Sequence, residues 1–283
     1  MATEIRVFDA GAVCDLLALK AEVPKVLRNA TLYEGEFNEK DTWSLGWQVF
    51  GIKSGLQALD HPVVSDITIL VDSFRDELRS VCPAPKSRRR ARIYDVDGDE
   101  FRDDLYREGR PECWEVRKRV ALQPQNIKLY VKVGGNSVNR SVDLCWTGAA
   151  VCAAVDLLED AGYRVEIFGV HVSTRCCSDQ AIDQMIFCKA KDLQDSLSVE
   201  TVGMVISNGA FFRSYWFKAI CCLSDFNLTH SLGSSSGITG NFEKEVIKHS
   251  SGDQYFVVNQ TYSREGALES VKRMMLEIDQ SGL

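Results

Sequence analysis

The run Asn126-Ile127-Lys128-Leu129-Tyr130-Val131-Lys132-Val133-Gly134-Gly135 decides how the chain is read. Ile127, Leu129, Val131 and Val133 recur at every second position, the period of a strand, and the glycine pair releases that strand into a loop. Val142 to Ala161 follows and is apolar nearly all round its helical wheel, the mark of a helix packed on a sheet. Gly162 is placed to end it. Tyr163 to Val172 then reads as the next strand, which completes a β-α-β unit with a right-handed parallel crossover.

Outward from this unit the pattern continues. Met185 to Ala190 reads as a third strand, Gln254 to Asn259 as a last strand, and Ser263 to Asp279 as a closing amphipathic helix capped by Ser263. Ser198 to Leu223 carries a helical seam through Val202, Val205, Ile206, Phe212 and Trp216. Gly203 and Asn208-Gly209 weaken that helix by about 1 kcal/mol apiece, and a strand at Gly203 to Ser207 followed by a helix is the alternative. Gly233 to Gly240 reads as a loop. The expected fold class is α/β, with a mainly parallel, Rossmann-like sheet in the C-terminal half.

Upstream, residues 1–85 read as a helical region. Asp9 to Lys20 has Val13, Leu16, Leu17 and Leu19 at helical spacing, and Leu45, Val49, Ile52, Leu56 and Leu59 form a second seam. Pro62 suits the first turn of a third helix that ends near Cys82. Residues 86–125 form a mixed α+β connecting segment, with a short strand at Arg92 to Val96, a short helix from Asp99 to Arg107 and a turn at Gly109 to Glu112. Residues 126–283 form the α/β domain.

Composition bounds the function. The chain has 283 residues, of which 45% are hydrophobic and 26% charged, the balance of a globular protein. Its net charge of -7 excludes a surface that is basic all over, so any nucleic-acid contact must come from a local patch. Acidic Glu4, Asp9 and Asp15 disfavour a signal peptide, and no stretch approaches the roughly 20 apolar residues that span a bilayer. A cytoplasmic protein without a membrane segment is expected. The ten cysteines show no CxxC pair and no zinc spacing, and read as buried free thiols of a reducing compartment.

The loop Gly134-Gly135-Asn136-Ser137-Val138-Asn139-Arg140-Ser141 lies between the first strand and its helix. Ligands of open α/β sheets gather there, because helix N-termini present unpaired N–H groups. Asn136, Ser137, Asn139 and Ser141 are therefore the candidate ligand-binding residues. A tight turn with Ser141 as helix cap accounts for the same composition. Neither GxGxxG nor a P-loop is present, and no cofactor is expected. The arrangement resembles the von Willebrand factor A fold, in which an Asp-x-Ser-x-Ser loop holds a divalent cation. Gly135 stands where that aspartate belongs, Ser137 matches the first serine, and Asn139 replaces the second. Without the carboxylate a hard cation has little to offset its dehydration, so the resemblance implies a fold with a degenerate metal site.

A second resemblance covers more of the chain. It rests on Gly46-Trp47, on Asp95-Val96-Asp97-Gly98-Asp99 and on Gly109-Arg110-Pro111-Glu112-Cys113. Leu158-Glu159-Asp160-Ala161-Gly162-Tyr163-Arg164-Val165-Glu166 and Ala210-Phe211-Phe212-Arg213 belong to it too. Together these are similar to an uncharacterised domain family of phages and bacteria, which brings no activity with it.

Two further clusters carry alternatives. Lys86, Arg88, Arg89, Arg90 and Arg92 form the dense basic run, which can grip phosphates or serve as a solvated linker. The acidic stretch 95–104 fails the calcium-loop pattern, since Glu100 stands where glycine is required and Tyr106 where glutamate is. A helix N-terminus accounts for its carboxylates, and a metal-dependent enzyme is the competing reading. His171 near a strand end has no nucleophile motif beside it and reads as a structural histidine. The leading expectation is a non-catalytic protein-binding module that docks through the loops at the strand ends, with a nucleic-acid-binding accessory protein second.

Overall fold

The computed structural model describes residues 4–18, 64–82, 90–96, 100–119, 125–134, 141–177, 180–208, 211–216, 219 and 240–280. In chain order they form β1 (Glu4–Ala12), α1 (Val13–Ala18), α2 (Val64–Leu78), β2 (Arg90–Asp95), β3 (Glu100–Phe101), α3 (Asp103–Arg107) and β4 (Trp114–Arg119). There follow β5 (Gln125–Val133), α4 (Ser141–Asp160), β6 (Tyr163–Cys177), β7 (Gln180–Lys191), α5 (Val199–Ser207), a π-helical turn (Phe212–Trp216), α6 (Gly240–Ser250), β8 (Tyr255–Val258) and α7 (Arg264–Gln280).

The β5–α4–β6 unit is the expected crossover. β5 and β6 are parallel neighbours from Gln125↔Tyr163 to Val133↔His171, and Gly162 ends α4 at φ +97°. The sheet around them runs β1-β7-β6-β5-β8. β1 with β7 and β5 with β8 are parallel, whereas β6 and β7 form an antiparallel pair, so the sheet is mixed and mostly parallel. β1 and β7 thus run against β6, β5 and β8, and the single antiparallel pairing lies where the two sets meet; mixed sheets of this kind are common among large sheets.

Each face of the sheet has its own core. Ile127, Leu129, Val131 and Val133 of β5 pack with α2, α4, α5 and α7, and Ala149 to Val155 of α4 are fully buried against them. Small alanine side chains let the helix approach the sheet, where van der Waals contacts accumulate. On the opposite face Tyr130, Phe168, Val170, Val172, Met185 and Phe187 pack under Phe242 and Val246 of α6. β2, β4 and β3 form a separate three-stranded antiparallel sheet.

Several expectations are corrected. Glu4–Ala12 is a strand in the main sheet, where the sequence reading begins a helix at Asp9; the helix starts at Val13. Gly11, at φ +71°, breaks the path between the two, and Asp15 Oδ2 accepts the Ala12 N–H at 2.9 Å. α2 lies against α4, so residues of the N-terminal region share the core of the C-terminal half. Glu100–Phe101 is a strand, and the short helix starts only at Asp103. The seam from Ser198 divides at Asn208, between α5 and the π-helical turn. The helix seams read between residues 19 and 63, and the loop at residues 233–239, lie outside the described residues.

Candidate functional site

β5 has β6 on one side and β8 on the other, and β6 follows it through α4 while β8 comes much later. The chain therefore winds away from β5 in both directions. In open α/β sheets such a reversal leaves a crevice outside the carboxyl ends of the strands, where ligands bind. The residues at that end here are Val133, which closes β5, with Gly134 after it, Asn259 to Tyr262 after β8, and His171 on β6.

On the α4 side the crevice is tied down and yet polar. Thr147, fully buried in α4, donates its hydroxyl to the Thr261 carbonyl at 3.2 Å and accepts the Thr261 N–H at 3.1 Å. Tyr262 donates to the Gly134 carbonyl at 3.4 Å. His171 Nδ1 lies 3.1 Å from the Val133 carbonyl, which can only accept, so Nδ1 carries the proton and Nε2 is an acceptor. Burial pushes the His171 pKa down to about 4, the Val133 bond opposing and the Lys132 charge assisting, so the ring is neutral at pH 7. It lies among Phe212 and Trp216, with centroids at 5.2 and 6.1 Å.

Four residues at this end carry buried polar atoms without a hydrogen-bond partner among the described residues: His171 Nε2, Ser207 Oγ, Asn208 Nδ2 and both amide atoms of Gln260. Ser207 and Asn208 close α5, and Asn208 Oδ1 accepts the Phe211 N–H at 2.9 Å. Unpartnered buried polar groups are uncommon in native structures and are costly unless water or a ligand reaches them.

On the α6 side of the same end lies a groove of about 590 Å3. Lys132 of β5, Asn259 after β8, Phe242 and Glu243 of α6, and Arg273 and Glu277 of α7 border it, with Tyr255, Phe256 and Val257 along β8. Among the described residues Lys132 makes no ion pair, and burial holds its pKa below that of a free lysine. The opposite, amino-terminal end of the sheet is closed by paired charges. Glu166 meets Lys189 at 2.7 Å, Lys128 meets Asp253 at 2.8 Å, and Lys191 meets Glu159 at 2.7 Å.

Of the expected site residues, Asn136, Ser137 and Asn139 lie outside the described residues, and Ser141 opens α4. Lys86, Arg88 and Arg89 also lie outside them, while Arg90 and Arg92 stand in β2. Asp95 ends β2, Asp103 pairs with Arg107 and Asp104 with Arg102, each at 2.7 Å. Among the described residues no three His, Cys, Asp or Glu side chains are placed to hold a metal ion. Nor is any described helix long and apolar enough to cross a membrane. Cys14, Cys82, Cys113, Cys145, Cys152 and Cys188 are free, and burial pushes the thiols of Cys152 and Cys188 up to about 12.

Lys132, Ser207, Asn208 and Gln260 were not legible as site residues. Lys132 reads as a routine outward residue of an alternating strand, and the others come together only through the packing of α4 and α5 on the sheet. A family model, described as a domain of unknown function (DUF7192), matches residues 60–279. No curated protein and no solved structure matches the chain.

Proposed function

The chain belongs to the DUF7192 family of domains of unknown function, and on that premise we propose that it is a non-catalytic docking module for a protein partner. The partner binds at the carboxyl ends of β5 and β8. The observation that carries this reading is the groove beside Lys132. A half-buried ammonium with no ion pair among the described residues is costly, and an acidic group on a partner would offset that cost. The groove runs along the edge strand β8 and reaches Lys132 and Asn259 at the carboxyl ends of β5 and β8, the end of the strands where open α/β folds place ligands. Asn136, Ser137 and Asn139 follow β5 in the sequence, and with Ser141 they would enlarge the contact surface.

We further read the sheet as von Willebrand factor A-like with a degenerate metal site. An interior β5 flanked by β6 and β8, with α4 next in the chain, supports it. The resemblance to phage and bacterial sequences supports a place in the cytoplasm of such cells.

Purification of the tagged chain from its native cells, beside a Lys132→Glu and Asn259→Arg double variant of unchanged circular dichroism, tests the proposal. A protein retained by the wild type and lost by the variant is expected. Equal retention by both would remove the groove from the account.

A further inference from the structure

We propose that the partner is held as an added strand: an extended, largely apolar segment of it, carrying an acidic residue, pairs with the free edge of β8. This rests on the docking reading above and adds how the groove grips. β8 ends the strand order β1-β7-β6-β5-β8, so one of its edges meets β5. Among the described residues nothing pairs with the other edge. The Lys128 N–H donates to the Gln254 carbonyl at 2.9 Å, and Lys128 stands opposite Tyr255. In a parallel ladder a residue bonds to the two neighbours of its partner, so Gln254, Phe256 and Val258 turn their backbone groups toward β5. The N–H and C=O of Tyr255 and Val257 therefore point out of the edge. Both residues line the groove.

The two edges of the sheet differ. β1, at the far edge, carries Glu4, Arg6 and Asp9 in its sequence and shifts register between Asp9 and Ala12. Charges and bulges of this kind deter a further strand. Tyr255-Phe256-Val257-Val258 has no charge and no proline, and its register on β5 is unbroken. An unprotected edge is a template for another chain. Extended peptides use such edges with main-chain bonds for affinity and side-chain pockets for choice.

The helices on either face of β8 supply the pockets. Tyr255 and Val257 pack toward α6, and Phe256 packs toward α7. Beyond the edge, Phe242 and Glu243 of α6 and Arg273 and Glu277 of α7 border the groove. Ile247, one turn from Glu243, and Leu276, beside Arg273 and Glu277, are exposed apolar side chains on these same helix stripes. A strand turns alternate side chains to opposite faces, so apolar residues of the added strand find Ile247 on one side and Leu276 on the other.

Lys132 sets the charge. The register that pairs Val131 with Val258 brings Lys132 beside Asn259. An added strand stands about 10 Å from β5, two strand spacings, a gap that a lysine and a carboxylate side chain bridge together. Arg273 is already 3.9 Å from Glu277, and Glu243 is exposed to water and screened. The half-buried Lys132, without an ion pair among the described residues, therefore decides the sign.

The full chain is panned against displayed random peptides of about 12 residues, enough to cover β8 and its flanks. Enriched peptides are synthesised and their binding is followed by anisotropy. They should be largely apolar with an Asp or Glu. They should slow amide exchange at Tyr255 and Val257, while Phe256 and Val258, already bonded to β5, keep their rates. Val257→Pro removes an outward N–H and no bond to β5, a change that edge strands tolerate. It should weaken binding about tenfold or more with the circular dichroism unchanged. Val257→Ala keeps the N–H and should bind within about threefold of the wild type. The exchange pattern, read on the wild type, decides the matter by itself if Val257→Pro does not fold. Unchanged exchange at Tyr255 and Val257 under saturating peptide would overturn strand addition. So would peptides that Val257→Pro binds as the wild type does and the Lys132→Glu and Asn259→Arg double variant loses, a result that leaves the groove as the docking site. No enriched peptide, or peptides indifferent to every variant, would overturn the docking reading as well.

Discussion

Gly148 of α4 and Ser207 of α5 touch at a point where no side chain fits between them. A Cβ built on Gly148 would lie 1.7 Å from Ser207 Oγ and 3.0 Å from Ser207 Cβ. Cys145, one turn earlier, donates its thiol to the Ser207 carbonyl at 3.9 Å. This contact fixes the carboxyl end of α5 over the sheet, and with it Asn208 and the turn that covers His171. Gly148→Ala should therefore destabilise the fold by about 1–3 kcal/mol in chemical denaturation. Ser207→Gly in the same chain should recover most of the loss. A single Gly148→Ala variant with an unchanged midpoint would contradict the contact.

Ala153 and Ala154 are fully buried where α4 meets its neighbours. Leucine at either position should overpack the layer and cost about 1–3 kcal/mol. Denaturation midpoints of the two variants decide it, and an unchanged value in either would count against close packing there.

His171 gives a pH signature. Its folded pKa of about 4 is below the ordinary 6.5, so between these values the unfolded chain binds the proton and the folded chain does not. Stability from the neutral ring is thus complete above about pH 6.5 and is lost as pH falls toward 4. The shift bounds the effect at about 3 kcal/mol. Burial also lowers His249, which contributes in the same direction, so the informative quantity is the difference between two proteins. Wild type minus His171→Gln, measured as unfolding free energy at pH 7 and pH 4.5, should shrink toward the acid value. A constant difference would mean that His171 does not titrate as a buried base.

Tyr130 and His249 join the sheet to α6 through a 2.9 Å hydrogen bond, and His249 stacks on Phe187 at 4.2 Å. Tyr130→Phe keeps the ring contacts and removes the bond. The expected cost is about 0.5–1.5 kcal/mol, with faster amide exchange in α6 as its local sign. Exchange that rises equally in α4 would point to a global effect instead.

The legible parts of this fold are those whose signal is local. β5 shows its alternation, α4 its apolar wheel and Gly162 its stop, so the crossover could be read from composition and period alone. β1 could not, because Asp9 and Gly11 interrupt its alternation and the leucines after Val13 extend a helical seam back into it. β7 was legible as a strand, but nothing local says that it pairs antiparallel with β6. α6 was missed: it begins at Gly240, directly after a Gly/Ser stretch, and its seam through Phe242 and Val246 is short. The candidate site was legible as a location, the end of β5, and not as residues. Lys132 matters through its lack of an ion pair among the described residues, and Ser207, Asn208 and Gln260 through packing across long sequence distances.

The docking account is tested most directly by photo-crosslinking in native cells. A photoreactive residue is placed in turn at Glu243 and Asn259, at the carboxyl ends, and at Gln194 and Asp195, at the opposite end of the sheet. All four positions are exposed. The account predicts one protein adduct, of the same mass, from Glu243 and Asn259, and none from Gln194 or Asp195. Adducts from Gln194 and Asp195 alone, or from no position, would contradict it.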